Sequence, residues 1–465
     1  MMAACLLSAV APAFADVAPL PDLGSSAQAE FSAAAEAKLG REAMGYIRKS
    51  STFVDDPELE AYLQDLGDRL ARAGSNLGHY QFFLVNDPTI NAFALPGGYI
   101  GVHTGLVTTA QNESELAAVL AHEITHVSQH HWSRTMAAQK QRSGLTAAAL
   151  LASVILAGSG QTVGEAGIAL TTAIELQQQL SYSREFEREA DRIGIQLLAN
   201  AGFNPDAMGG FFEKLQASNR ISESGPEYLR THPITSNRLA EAHDRARRLN
   251  GHKSRNNPED FRHAQARIMA MYAETPKHAA AALDRMFVNK AEPAYLYGRA
   301  IAYLAASDFG KAENLVASLR RRYPDQLRYQ MLEADILVQS KKLKAGLQIY
   351  ESIYKKEPGK KDILMRYAAV LIANGQFEQA YRLLQARRSY PAKSPRLQQM
   401  LARAAGESGR LIESHRAMAD YYYLSGNIAS AIEQLHIAKR LARNDAYSLA
   451  GIDAQLKELE SKKQD

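Results

Sequence analysis

The chain's clearest opportunity for chemistry is a histidine pair four residues apart, His122 and His126, with Glu123 between them. On a helix, residues four apart share a face, so both imidazoles can reach one cation. Imidazole suits zinc, and a zinc held by three protein ligands keeps one position for water, whose pKa it lowers towards neutrality. Glu123 falls beside that cation, placed to take the proton. A pattern with two free positions also arises by accident on polar helices. Here, though, Leu116, Ala117, Val119, Leu120, Ile124 and Val127 make an apolar stripe that buries the helix, where two unliganded histidines and a carboxylate would be costly. Gln129 and Trp132 stand where a glycine and a third histidine would extend the motif, so the third ligand must come from elsewhere.

A second stretch, Ser181 to Asn200, reads as a helix with an alternating acidic run of Glu185, Glu187, Glu189 and Asp191. Glu187 and Asp191 share one face, Glu185 and Glu189 another, and only one pair can look at the metal. Ala190 beside Asp191 would let this helix come close to the first. That favours Glu187 as ligand and Asp191 as the acceptor that fixes an imidazole tautomer, with Glu185 and Glu189 as solvated charges. Thr231-His232-Pro233, followed by Arg238, lies beyond a loop opened by Ser222 to Pro226. Proline gives His232 a defined direction, which suits a histidine that meets a metal, a substrate or a developing oxyanion; a helix-capping loop with an incidental histidine would look the same. His79, His103, His130, His131 and His243 read as surface or hydrogen-bonded residues.

These residues must be positioned by the elements around them. The metal helix is expected to run unbroken from Glu113 to Gln139. Before it, Glu36 to Arg48 and Pro57 to Ala73 read as helices, and Tyr80 to Val85, Ala92 to Ala94 and Tyr99 to His103 as short strands, the last two parted by Pro96-Gly97-Gly98. A sheet edge here could take an extended peptide as a further strand and hold its scissile bond across the metal, or it could be a hairpin that serves only the core. Leu145 to Ala157 and Ala166 to Ile174 are apolar but shorter than the roughly 20 residues a membrane span needs, and read as buried helices or a cover over the site, with a hairpin dipping into a membrane as the lesser option.

The chain of 465 residues is 46% hydrophobic and 22% charged, ordinary for two or three globular domains, and a net charge of +4 gives no argument for nucleic acid. Residues 1–15 are mostly apolar and end Ala13-Phe14-Ala15, the small-x-small form of an export cleavage site. No Lys or Arg precedes Lys38, so the expectation is an export signal truncated at its start, followed by a lead-in of small residues to about Ala35. The apolar run continues past Cys5, which argues against lipidation there, and loss of Cys5 with the signal leaves no thiol for catalysis or disulfides.

From about Pro258 the texture becomes helix after helix. Ala312, Gly346 and Ala380 recur every 34 residues, each three after Phe309, Leu343 and Phe377, and Tyr323-Pro324, Glu357-Pro358 and Tyr390-Pro391 mark the ends of units. That period means tetratricopeptide-like helix pairs, about four of them, whose stacking makes a concave surface for polypeptide, with Gly426 to Ala431 as a last turn.

Asn91 to Gly98, His122 to His126, Ser183 to Asp191, and His232-Pro233 with Arg238 together resemble the M48 metallopeptidase family in four ordered motifs. The resemblance implies an α+β zincin-like metallopeptidase domain, mostly helical with a small sheet, followed by an all-α tetratricopeptide-repeat solenoid. The divisions expected are 1–15 signal, 16–250 peptidase and 258–465 repeats. It further implies one zinc ion on His122, His126 and Glu187, Glu123 as general base and acid, and Asp191 behind a ligand. His232 would either stabilise the tetrahedral intermediate or act as a fourth ligand in a self-inhibited resting state. For family members with this export signal and tail it implies a periplasmic metalloendopeptidase with a chaperone-like role. Such proteins help outer-membrane β-barrel proteins assemble, degrade stalled ones and meet the barrel-assembly machinery through the repeats, with no transmembrane span and no nucleic acid. The rival reading is a non-proteolytic assembly scaffold acting through its repeats; a membrane-embedded protease is a third, against which the short apolar runs argue.

Overall fold

The computed structural model describes residues 32–74, 78–138, 183–221, 226–249, 258–386 and 394–464. The leader, most of the lead-in, both apolar runs at 145–157 and 166–174, residues 222–225 and Tyr390-Pro391 lie outside them.

Helix α1 (Ala33–Ile47) is capped by Ser32, whose hydroxyl accepts from the Ala35 amide. Helix α2 (Pro57–Arg72) starts on Asp56, whose carboxylate accepts from the amides of Glu58 and Leu59, with Pro57 in the first turn where no amide is needed. Three strands follow: β1 (Gln81–Val85), β2 (Ala92–Leu95) and β3 (Tyr99–His103). They lie in the order β1-β3-β2, with β3 parallel to β1 and antiparallel to β2, so β2 is an edge. The connection from β2 to β3 is a 3-10 turn, Pro96–Gly98, in which both glycines have positive φ.

After the short α3 (Thr104–Thr109) comes α4 (Glu113–Ser128). Asn112 and Glu115 open it as a reciprocal cap: the Asn112 side chain accepts from the Glu115 amide, and the Glu115 carboxylate accepts from the Gln111 amide. The expected single helix from Glu113 to Gln139 is not what forms. His130 takes φ +53, ending α4 through a left-handed residue, and α5 (His131–Ala138) sets off in a new direction. Histidine is one of the few residues other than glycine that visit this region with any frequency. Helix α6 (Arg184–Asn200) is capped by Ser183 and packs across α4, followed by α7 (Asp206–Ile221), the single turn α8 (Tyr228–Thr231) and α9 (Ser236–Leu249). Leu63, Leu66, Phe82, Ile100, Leu116, Leu120, Leu198 and Phe211, all at 1% exposure or less, tie helices α2, α4, α6 and α7 to the sheet in one core. Each such side chain contributes about 1.5–3 kcal/mol.

From Pro258 the described residues form only helices: α10 (Pro258–Met271), α11 (Pro276–Met286), α12 (Pro293–Ala305), α13 (Phe309–Arg322), α14 (Leu327–Gln339), α15 (Leu343–Lys356), α16 (Lys361–Ala373), α17 (Phe377–Gln385), α18 (Pro395–Glu407), α19 (Leu411–Leu424), α20 (Ile428–Leu441) and α21 (Ala446–Gln464). Ala312 and Ala380 are fully buried, and a Cβ on Gly346 would lie 2.8 Å from the Ala334 carbonyl oxygen, so small residues do mark the crossings. Four pairs turn through one left-handed residue at the same repeat position, Ser307, Lys341, Gly375 and Gly409. The next, Gly426, comes after half a repeat, so the array ends out of register.

The first helices of successive pairs face the chain's own helix α2. Arg267 of α10 makes a bidentate pair with Asp56 at 2.8–3.0 Å and stands 3.2 Å from Glu58. Tyr297 of α12 and Arg366 of α16 also donate to Glu58, Lys361 pairs with Glu60 at 2.7 Å, and Arg396 of α18 pairs with Asp55. The surface expected to hold polypeptide thus holds the acidic start of α2.

Candidate metal centre

Helix α4 brings His122 and His126 to the buried floor, α6 supplies Glu187 and Asp191, and the loop after α8 supplies His232, which ends that turn and whose amide donates to the Tyr228 carbonyl. One ligand atom from each of His122, His126, Glu187 and His232 falls within 4.8 Å of the others, and all four residues are buried. His122 Nε2 is 2.9 Å from His126 Nε2 and 3.3 Å from His232 Nδ1; Glu187 Oε1 is 3.3 Å from His126 Nε2 and 2.9 Å from His232 Nδ1. Ligands around a tetrahedral cation with bonds of about 2.0–2.1 Å stand roughly 3.3 Å apart, and these four distances of 2.9–3.3 Å suit such a site.

The partners behind these rings set their lone pairs. His122 Nδ1 lies 3.0 Å from Asp191 Oδ1, and a carboxylate can only accept, so the proton belongs on Nδ1 and Nε2 turns a bare lone pair to the centre. For His126 the arrangement is longer. His131 is buried and its pKa is pushed down by that burial to about 4, so it is neutral; its Nε2 lies 3.1 Å from Glu189 Oε2 and its Nδ1 2.9 Å from His126 Nδ1. With the His131 proton on the Glu189 side, His126 Nδ1 must donate, which frees its Nε2 for the centre. Burial opposes charge on His122, yet Glu187 and Asp191 outweigh it and raise the pKa to about 10, so a proton and a metal cation compete for the Nε2 lone pair. Burial likewise opposes charge on Glu187, yet His232 and His122 hold its carboxyl well below the usual range. The pocket is built to hold positive charge. Its donor set of two to three imidazole nitrogens and one carboxylate oxygen fits a divalent first-row metal.

Arg238 locks the acidic helix in place: Nε and Nη2 donate to Asp191 at 2.6 and 2.8 Å, and Nη1 stands 2.7 Å from Glu187 Oε2 and donates to the Pro233 carbonyl. Glu123 is wholly buried, and that burial raises its pKa. His232 Nε2 is 3.6 Å from Glu123 Oε1. Tyr228 stacks on His232 with ring centres 4.6 Å apart.

All of His122, Glu123, His126, Glu187, Asp191 and His232 therefore converge. Glu185 is exposed and turned away. Three contributors were not anticipated: His131, Glu189 and Tyr228. Glu189 does not end in solvent but on His131 and Arg134, because the break at His130 folds α5 back under His126. Phe186 stacks on the His131 ring at 4.5 Å. The close approach of α6 rests on Gly194 as well as Ala190: a Cβ at Gly194 would lie 3.2 Å from the backbone of Ala121 and His122.

Residues 57–246 match peptidase family M48, and residues 337–404 match a tetratricopeptide repeat. The chain is 32% identical to the β-barrel assembly-enhancing protease of Escherichia coli K12, covering 99% of this chain and 95% of that protein. It is 33% identical to the protein of that name from Yersinia pestis, covering 95% and 91%. A mitochondrial metalloendopeptidase, OMA1 of Schizosaccharomyces pombe, is 31% identical over 37% of this chain and 48% of its own length.

Proposed function

We propose a zinc-dependent endopeptidase that acts in outer-membrane β-barrel assembly, on the premise that the chain belongs to the family of β-barrel assembly-enhancing proteases and carries the peptidase domain of family M48. The observation that carries the reading is the buried convergence of His122, His126, Glu187 and His232 beside Glu123. His122, His126 and Glu187 would hold the zinc. When bound, the ion supplies a Lewis acid for the scissile carbonyl and makes water acidic enough to be deprotonated near neutral pH. Glu123, with its raised pKa, takes the proton of the attacking water and gives it to the departing amine nitrogen. Asp191 and Arg238 keep the His122 ring and the Glu187 carboxylate in their orientations.

His232 fills the fourth corner in this arrangement, its Nδ1 2.9 Å from Glu187 Oε1. We read that as a resting state in which substrate must displace it. His232→Ala should then raise turnover of an unfolded protein such as casein with metal content unchanged; equal or lower turnover at full metal content counts against a resting role. Glu123→Gln should lower digestion of the same protein by a factor of ~100 or more. Equal rates for wild type and Glu123→Gln would sink the peptidase and leave the scaffold.

The periplasm is the compartment that fits the expected export signal and the relatives' named role. No helix among the described residues is long and apolar enough to cross a membrane. The repeats are the surface we assign to protein partners, the barrel-assembly machinery among them, through faces not taken by α2.

A further inference from the structure

Helix α1 touches two distant parts of the molecule with backbone close against backbone, beside the packing of Met44 and Ile47 on Phe83, Val85 and Leu95. On one side, a Cβ at Gly40 would lie 2.0 Å from the carbonyl oxygen of Pro96, where edge strand β2 leaves the sheet, and one at Gly97 would lie 3.0 Å from Ala37 Cα. On the other side, a Cβ at Gly45 would lie 2.3 Å from the carbonyl oxygen of Ser425, in the turn between α19 and α20 of the repeat array, and one at Gly426 would lie 2.7 Å from Glu42 Cα. Gly40 and Gly45 are five residues apart, roughly 140° round the helix, so these are separate faces. Arg41 adds a guanidinium 5.5 Å above the Tyr423 ring.

The left-handed turn does not by itself explain Gly426. Ser307 and Lys341 hold φ of 58° and 66° at other left-handed turns of the array, and a Cβ at Gly375 or Gly409 would meet nothing within 4 Å. Among these turns, Gly426 is where the approach of another element leaves no room for a side chain. The same helix reaches the site. Glu36 lines a narrow notch of ≈ 10 Å³ with Leu95, Gly97, His126, His130 and Trp132, and its Oε2 is 3.9 Å from His130 Nδ1. An extended peptide pairing on the β2 edge would pass over this notch beside His126, in the groove between α1 and the sheet edge.

We propose that α1 is a positioning element of the substrate cleft, and that the α19–α20 turn of the repeat array sets its place, so that the last repeats control how well an extended substrate is held. Backbone packed on backbone has no side chain to absorb a shift, and a displacement at Ser425 and Gly426 passes through α1 to Pro96 and Gly97. The proposal rests on the peptidase reading above.

The full-length protein tests it. Gly426→Ala and Gly45→Ala place a methyl group in the contact, and Arg41→Ala loosens it without a clash. Gly375→Ala and Gly409→Ala impose the same backbone strain where nothing is touched. For each, KM and kcat are measured on a long unstructured peptide and on a blocked tripeptide, with metal content and melting temperature alongside. We expect KM for the long peptide to rise roughly 3- to 10-fold in Gly426→Ala and Gly45→Ala, and less in Arg41→Ala, with kcat, tripeptide cleavage and metal content unchanged, the mark of lost substrate binding. The two control variants keep wild-type KM. Unchanged KM in all variants overturns the proposal, as does an equal rise in the controls or a loss of kcat that follows loss of metal or of folded protein. A wild type that cleaves neither peptide, or no better than Glu123→Gln, overturns the peptidase reading and takes this inference with it.

Discussion

Asp191 and Glu189 are two residues apart on one helix, yet they finish on different imidazoles, one directly and one through His131. Both rings thereby get the tautomer that leaves Nε2 free for a cation. A relay through a neutral histidine has a measurable consequence. His131→Phe keeps the stacking against Phe186 but removes the acceptor behind His126, and should weaken metal binding about 10- to 100-fold, read by competition with a chromogenic chelator. Glu189→Gln should act in the same direction and less strongly, since an amide can still accept from His131. Metal affinity unchanged in both would mean that His126 needs no fixed tautomer. The residue pattern of the His122 motif and of the Glu187 helix was open to reading because spacing on a helix fixes which side chains share a face. His131 was not, because it lies five residues beyond His126 and would point away on a continuous helix.

At the scale of elements, α2 does two jobs: its apolar face packs in the peptidase core and its acidic N-terminus is clamped by the array. Burial would push Glu58 up, but Arg267, Arg366 and Arg328 hold its carboxyl below the ordinary 4.5. Asp56 is likewise held low, against burial, by Arg267. A group with a lowered folded-state pKa contributes stability that is complete above the unfolded value and is lost as pH falls through the folded one. The clamp is therefore intact at neutral pH and fails in acid. Glu58→Gln should destabilise the protein at pH 7 by about 3–5 kcal/mol, since it leaves buried guanidiniums short of a counter-charge. Denaturant unfolding of wild type and variant should converge as the pH is taken well below 4.5, and a constant difference across that range would show that the pair carries no pH-linked stability.

For the whole molecule, the array is wrapped against the unit it serves. Arg267, Lys361, Arg366 and Arg396 all reach the start of α2, and the array's last turn reaches α1. Cutting the chain at a site-specific protease sequence placed between Leu249 and Pro258 should leave two pieces that elute together and keep metal. The N-terminal piece made alone should be insoluble or lose metal, its acidic helix start unpaired. Pieces that separate freely and remain folded would show the seam to be weak.

The His122 and Glu187 motifs, the three strands and the 34-residue period were legible in the linear chain because each follows from local geometry, 3.6 residues per helical turn or two per strand, or from identical packing repeated unit after unit. What tertiary structure alone decided is where chain direction changes and what the first helices of the repeat pairs meet. A single left-handed residue at His130 broke the metal helix and recruited His131 and Glu189. Charges more than 200 residues apart closed the array onto α2, and backbone contact at Gly45 and Gly426 joined the last repeats to the cleft. None of these has a periodic signature, since each depends on two segments that meet only once the core has formed.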